Sequence, residues 1–515
     1  MALANCGTRD SVEPLLAALA DRDPLAAQAA AVALENLTGH AEPLDAFASA
    51  EQREREIQQW HAWFHGTTWD AIEQELVARI GNPDRDVVRR AAVALGHVGG
   101  KTARAALRDY VLRHRDENPY PDWMKQGHHG DGARFNAADS VNPRSLQAVT
   151  RALGCLKDAE SVPMLAETIA RNSDPAGSNL FLAEACAEAL GRIGTPEAEA
   201  ALIQSHTGLK DYYFYVGWYG DHSALYACHA SPVHYFIAES LDAMGSTRAG
   251  PILPNMIRSV PTDPDRALLP WSDDCETLVG RVICRSGAEP LVVETCLAML
   301  GDPQAVADKD IKLAISTTYH AWGGKPDPEN RAAHILSAAC RDRKYEPRIR
   351  AALDRYRALP ADKLVRAFAG GGLPRVLPIK NWVCFFLART LGNLRDPQSA
   401  DTLIAVLEQV PSEGAGGRPD PCDASVLFLH NELTPCYRAA AAWALGRIGD
   451  RRATPLLLKA VADANNAPDT RYAAAEALEK LAEPANLADL KALAEACPEV
   501  STRRVLGRTV TRLNP

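Results

Sequence analysis

The sequence predicts an all-α protein, an α-solenoid of stacked helix pairs with long loop insertions along one edge. Three observations predict it. Residues 437–461, YRAAAAWALGRIGDRRATPLLLKAV, read as two short helices broken at Gly449-Asp450. In the first of these, Ala441, Ala444, Leu445 and Ile448 fall at i, i+3, i+4 and i+7, one face of a helix. The same pattern then recurs: AVALENLT at 31–38, AVALGHVG at 92–99, RALGCLK at 151–157, AEALGRIG at 187–194, AESLDAMG at 238–245, ARTLGNLR at 388–395 and AEALEKLA at 475–482.

Each part of the unit has a physical reason. Gly446 and the alanines let a neighbouring helix approach closely. Gly449 ends the first helix, because the residue after a helix must take positive φ at low cost. Asp450 suits the start of the second helix, where free amide groups favour a carboxylate. Leu456, Leu457, Ala460 and Val461 give that helix an apolar stripe. A pair of about 30 residues cannot bury both stripes alone, and stacking copies buries them. These signatures resemble the HEAT-repeat family, in the short bacterial form named after phycobilisome lyases. The resemblance implies a helical repeat scaffold. It carries no catalytic residue onto this chain, since the matching positions are core positions.

The chain in order begins with Val12, Leu15, Leu16 and Leu19, the second helix of a pair that lacks its first. Either a preceding segment was removed or residues 1–20 cap the array. Repeat one spans 23–38. An insertion at 39–68 holds a charged helix, EQREREIQQWHAWF at 51–64, whose Trp60, Trp63 and Phe64 form an aromatic edge expected to pack on the flank. Its partner helix is 69–80. Repeats follow at 84–113, 143–171, 179–206, 232–258 and 274–300. A divergent stretch, 301–380, carries helices expected at 310–319, 327–340, 346–359 and 363–368. Repeats resume at 381–408 and 435–496, with a cap at 499–513. The expected organisation is one continuous array: repeats with insertions over 1–300, the divergent segment, then repeats and cap over 381–515.

The insertions at 114–142, 207–231, 259–273 and 409–434 all follow a second helix and precede a signature helix. Equivalent points of a solenoid stack along one edge, so these segments, with 318–328 and 369–380, should lie side by side. Their composition is unusual for loops. Residues 212–226 hold seven aromatics, against a chain mean of 6%, and 212–219 suggests a small hairpin turning near Gly217. The candidate ligand-binding set is Trp123, His128, His129, Asp131, Trp218, Tyr219, Asp221, His222, His229, Trp271, Asp273, His320, Trp322 and His430. Rings, imidazoles and carboxylates together suit a polar, ring-bearing ligand such as a sugar, or a peptide segment. A self-packed crust of loops accounts for the same composition.

Three readings stay open: a binding scaffold, a hydrolase or lyase acting on carbohydrate-like material, and a structural solenoid with its partner on the second helices. Acid–base chemistry would draw on Asp221-His222 or on His229 with His234. Metal-ligand spacing is absent: His229 and His234 are i, i+5, and no HExxH occurs. No cofactor is expected. The net charge of −9 and pI near 5.9 come without a basic stripe, which argues against a nucleic-acid reader. No apolar run reaches the roughly 18 residues of a membrane span. The 12 cysteines include no CxxC. Cys155, Cys186, Cys284, Cys296, Cys340 and Cys384 read as small buried hydrophobes, which favours a cytoplasmic protein. Cys422 and Cys436 would pair only if the protein is exported with a leader removed.

Overall fold

The computed structural model describes residues 6–116, 143–172, 180–208, 212–217, 223–228, 232–259, 274–317, 328–359, 364–368, 374–409 and 437–514. The helices form two compact units. One comprises Met1–Ala224 and Ser231–Ser246, the other Leu225–Ala230 and Thr247–Pro515. Each is a stack of antiparallel helix pairs.

The first unit runs α1 (Val12–Ala18), α2 (Pro24–Thr38), α3 (Ala50–His65), α4 (Trp69–Ile80), α5 (Arg85–Val98), α6 (Lys101–His114), α7 (Pro143–Cys155), α8 (Val162–Arg171), α9 (Leu180–Ile193), α10 (Pro196–Gly208) and α11 (Pro232–Ala243). The strand β1 (Tyr212–Gly217) also belongs here, and β2 (Ser223–Cys228) follows it. The second unit runs α12 (Leu253–Ser259), α13 (Asp274–Arg285), α14 (Glu289–Met299), α15 (Lys309–Thr317), α16 (Pro328–Ala339), α17 (Glu346–Arg357), β3 (Leu364–Phe368), β4 (Pro374–Pro378), α18 (Ile379–Leu394), α19 (Ala400–Glu408), α20 (Tyr437–Ile448), α21 (Thr454–Ala462), α22 (Pro468–Leu481), α23 (Leu487–Ala496) and α24 (Val500–Leu513).

The signature glycine makes the stacking close. A Cβ on Gly154 would lie 2.7 Å from the Ala189 Cα, one on Gly191 2.7 Å from the Ser240 Cβ, and one on Gly446 2.7 Å from the Ala477 Cα. In each case the partner stands two residues before the corresponding point of the next signature. First helices therefore meet backbone to backbone in a fixed register. Leu153, Leu190 and Leu445, one residue before each glycine, are fully buried, as is Leu95 before Gly96.

Helix ends are satisfied from neighbouring elements. Asp450 and Asp396 each accept a backbone N–H two residues on, at 2.9 and 3.0 Å, and open the second helices as the sequence predicts. Gly449 takes φ +86° at the end of α20. Arginines cap the carbonyl ends of helices elsewhere in their unit. Arg9 donates to Val98 O at 2.7 Å, Arg79 to Gly39 O at 2.6 Å, Arg343 to Leu394 O at 2.9 Å and Arg355 to Leu300 O at 2.8 Å. A cation at a helix C-terminus also meets the negative end of the dipole. Glu73 does the converse: its buried carboxylate accepts the Ala103 N–H at 2.7 Å, near the start of α6, and pairs with Arg9 at 3.2 Å.

The aromatic edge of α3 packs on its unit, as expected. Trp60 is 1% exposed within the core formed by Leu16, Leu34, Leu37 and Ile57, and the Trp63 ring stacks on His40 at 3.8 Å. Two expectations are corrected. In place of the helix expected at 363–368, Leu364–Phe368 is a strand paired antiparallel with Pro374–Pro378, from Leu364 opposite Pro378 to Phe368 opposite Pro374. Val and Phe favour extended backbone, and both prolines sit at the ends of β4, where a missing N–H costs the ladder least. The small hairpin expected over 212–219 is longer than that: Tyr212–Gly217 is its first strand and Ser223–Cys228 the strand it pairs with.

The close approach predicts opposite outcomes for two glycine substitutions in the second unit. Gly446→Ala should lower stability by about 1–3 kcal/mol through overpacking. Gly507→Ala, in α24 with nothing within 4 Å of its Cβ position, should raise it by about 0.5–1 kcal/mol. Thermal and urea unfolding of the two variants checks the contrast.

Candidate binding groove on the first helices

The predicted site residues Trp123, His128, His129, Asp131, Trp218, Tyr219, Asp221, His222, His229, Trp271, Asp273, His320, Trp322 and His430 all lie outside the described residues. So do Cys422 and Cys436. Among the described residues, no three His, Cys, Asp or Glu side chains come together as a metal site. Nor is any helix long and apolar enough to cross a membrane.

A groove of about 500 Å³ does lie within the first unit, across α2, α5, α7 and α9. Its construction follows from the signature. Three positions on each first helix point out of the stack: seven before the signature glycine, three before it and one after it, spaced i, i+4, i+8. Stacked in register, they become three rows. Arg89, Gln147 and Glu184 form one, Val93, Arg151 and Glu188 the next, and His97, Cys155 and Arg192 the third. The row positions from Arg89 to Arg192 line the groove except Glu184 and Glu188, and Asn36 adds the equivalent position of α2. Ala92, Gly96, Ala148 and Ala152 make a floor of small residues.

The electrostatics are specific. Glu188 accepts from Arg151 Nε at 2.5 Å and from Arg192 Nη2 at 2.6 Å, so one carboxylate joins two guanidiniums. Arg192 Nη1 also lies 3.0 Å from Cys155 Sγ. His97 Nδ1 donates to Gly7 O at 3.0 Å. Burial holds the His97 pKa below its ordinary 6.5, opposed by that hydrogen bond and aided by the Arg192 charge, which favours the neutral ring. Burial pushes the Glu184 carboxyl up to about 7, against the opposing pull of Arg151.

Cys155 corrects one expectation. It is exposed, whereas Cys186, Cys296, Cys340 and Cys384 are buried as predicted and Cys284 is half-buried. The position after the signature glycine faces out of the stack, so helical context among apolar residues did not determine its burial. Periodicity marks core positions, and the groove residues are the complement of that pattern. The signal that finds them is the varying letter between Gly and the next aliphatic: His97, Cys155, Arg192.

In the corresponding rows of the second unit, a tryptophan and two arginines stack. The Trp443 ring has the Arg389 guanidinium 5.7 Å from its centroid and that of Arg447 at 4.8 Å. Asn393 donates to Ser337 O at 3.3 Å.

Residues 426–508 match the family model of HEAT repeats, and residues 182–205 and 383–409 match that of the PBS lyase HEAT-like repeat. Among solved structures, the chain is similar to importin beta at 13% identity and TM-score 0.41, over 97% of this chain and 57% of that one. Kap121p is similar at 10% identity and TM-score 0.41, over 98% and 49%. Human deoxyhypusine hydroxylase in complex with glycerol aligns at 18% identity and TM-score 0.24, over 70% and 98%. The chain thus spans 57% of the length of importin beta. No curated protein matches it.

Glu184 yields a prediction. Its folded pKa of about 7 exceeds the ordinary 4.5. The folded state therefore holds the proton longer, and stability falls as pH rises from 4.5 through about 7. Glu184→Gln should match the parent at the acid end and exceed it above neutrality, by about 1–2 kcal/mol after solvent screening. Urea denaturation across that pH range reads the gap.

Proposed function

We propose that this chain, a HEAT-repeat protein, is a binding scaffold whose insertion edge holds a protein segment or a small polar ligand. One observation supports the edge reading. The long connections between helices end where a first helix begins, at Pro143, Leu180, Pro232, Asp274, Pro328, Ile379 and Tyr437. The opposite junctions are tight: Val98 to Lys101, Ile193 to Pro196 and Gly449 to Arg451 take only a few residues each. Within one unit, equivalent ends of stacked pairs share a side, so insertions at those ends converge. The aromatic, histidine and aspartate content of the insertions then supplies stacking faces and hydrogen-bonding groups for a sugar-like or peptide ligand. The free thiols of Cys186, Cys296 and Cys340 fit a reducing, cytoplasmic setting.

A melting screen against glycan and peptide collections tests the reading. A true ligand at a hundredfold its Kd should stabilise the chain by about 2.7 kcal/mol. The gain should vanish in Trp218→Ala and His222→Ala chains. Ligands that stabilise both variants as well as the parent, or a screen without a hit, sink the edge as the binding surface.

A further inference from the structure

We infer that the groove across α2, α5, α7 and α9 is a second binding surface, one that takes an acidic segment of a protein partner. It belongs to the same scaffold reading but lies on the first helices rather than on the insertions.

Charge comes first. Among the described residues, Arg89, Arg151 and Arg192 line the groove, and no aspartate or glutamate does. Arg151 uses its Nε on Glu188, while its two terminal nitrogens make no hydrogen bond among the described residues. Arg89 makes one long contact, Nε to Asp86 Oδ1 at 3.4 Å, a weak pair between exposed side chains. Two guanidinium forks thus keep their paired N–H groups for a ligand. A fork of that geometry accepts a carboxylate through two parallel hydrogen bonds.

Shape comes second. The floor is Ala92, Gly96, Ala148 and Ala152, so a peptide backbone can lie against the helices with no side chain to lift it away. Val93, 37% exposed, gives the floor an apolar patch. Asn36 and Gln147 add amides at the margins. A groove of about 500 Å³ holds a few residues of extended chain, within the range of small-ligand and peptide sites.

Charge also decides against a polynucleotide. Glu188 stands between Arg151 and Arg192, and the chain carries a net −9. The cations form an isolated cluster and not a stripe that tracks a phosphate backbone. One or two carboxylates on a flexible segment match the cluster, whereas the corresponding row residues of the second unit, Arg389, Trp443 and Arg447, stack on one another.

The test selects a random-sequence peptide library on the full chain, then measures the leading synthetic peptide by fluorescence anisotropy. Expected is enrichment of Asp/Glu-rich sequences whose binding weakens as salt rises. Arg89→Gln/Arg151→Gln should weaken the leading peptide by about tenfold or more, and exchanging its Glu for Gln should do the same. The Trp218→Ala/His222→Ala chain should bind it unchanged, which separates this groove from the insertion edge. Circular dichroism confirms that the variants fold. The inference is overturned by a selection that enriches nothing, by enrichment of neutral or basic peptides, by equal binding to the arginine variant, or by loss in the insertion variant alone.

Discussion

Everything in this chain depends on how closely consecutive first helices approach. At Gly154, Gly191 and Gly446 the gap to the next helix is too small for a methyl group. Contact at that distance locks register as well as spacing, because a helix moved by one residue would present a larger side chain to the same point. The leucine before each glycine then enters the core at the same depth in every layer, as Leu95, Leu153 and Leu190 do.

A locked register turns sequence variation into surface. When each layer repeats the last, the positions left facing outward line up into rows, and what occupies them is free of packing constraint. In the first unit they hold a mixture of guanidiniums, amides, an imidazole and a thiol around a floor of alanine and glycine. In the second they hold a tryptophan flanked by two arginines. One architecture thus yields an open polar groove in one place and a stack of a ring between guanidiniums in another. The difference lies in a few row residues.

The arginines divide by role along the same lines. Those within reach of a helix C-terminus donate to its last carbonyls: Arg79 to Gly39 O, Arg343 to Leu394 O, Arg512 to Ala482 O. Arg438 is buried outright and bridges Leu407 O and the Asn466 side chain. Such residues complete hydrogen bonds that helices leave open, and burying a guanidinium is tolerable only because its donors are met. Arg89 and Arg151 cap nothing and pair through Nε alone, so their terminal N–H groups remain available at the surface.

The sequence by itself determined the helix pairs, their boundaries and the tight contact at the signature glycine. Helical periodicity and the chemistry of Gly and Asp at helix ends are local, and a window of about 15 residues contains them. Paired strands at 364–378 escaped, since strand pairing joins residues that no helical period connects. The exposed side of each repeat escaped too. That Arg89, Arg151 and Arg192, each on a different helix, share one groove follows from the layer-to-layer register, and Cys155 is exposed because of where its row points. Only the stacked structure brings those residues together, because side chains distant in sequence become neighbours through packing, a property of the whole array and not of any one repeat.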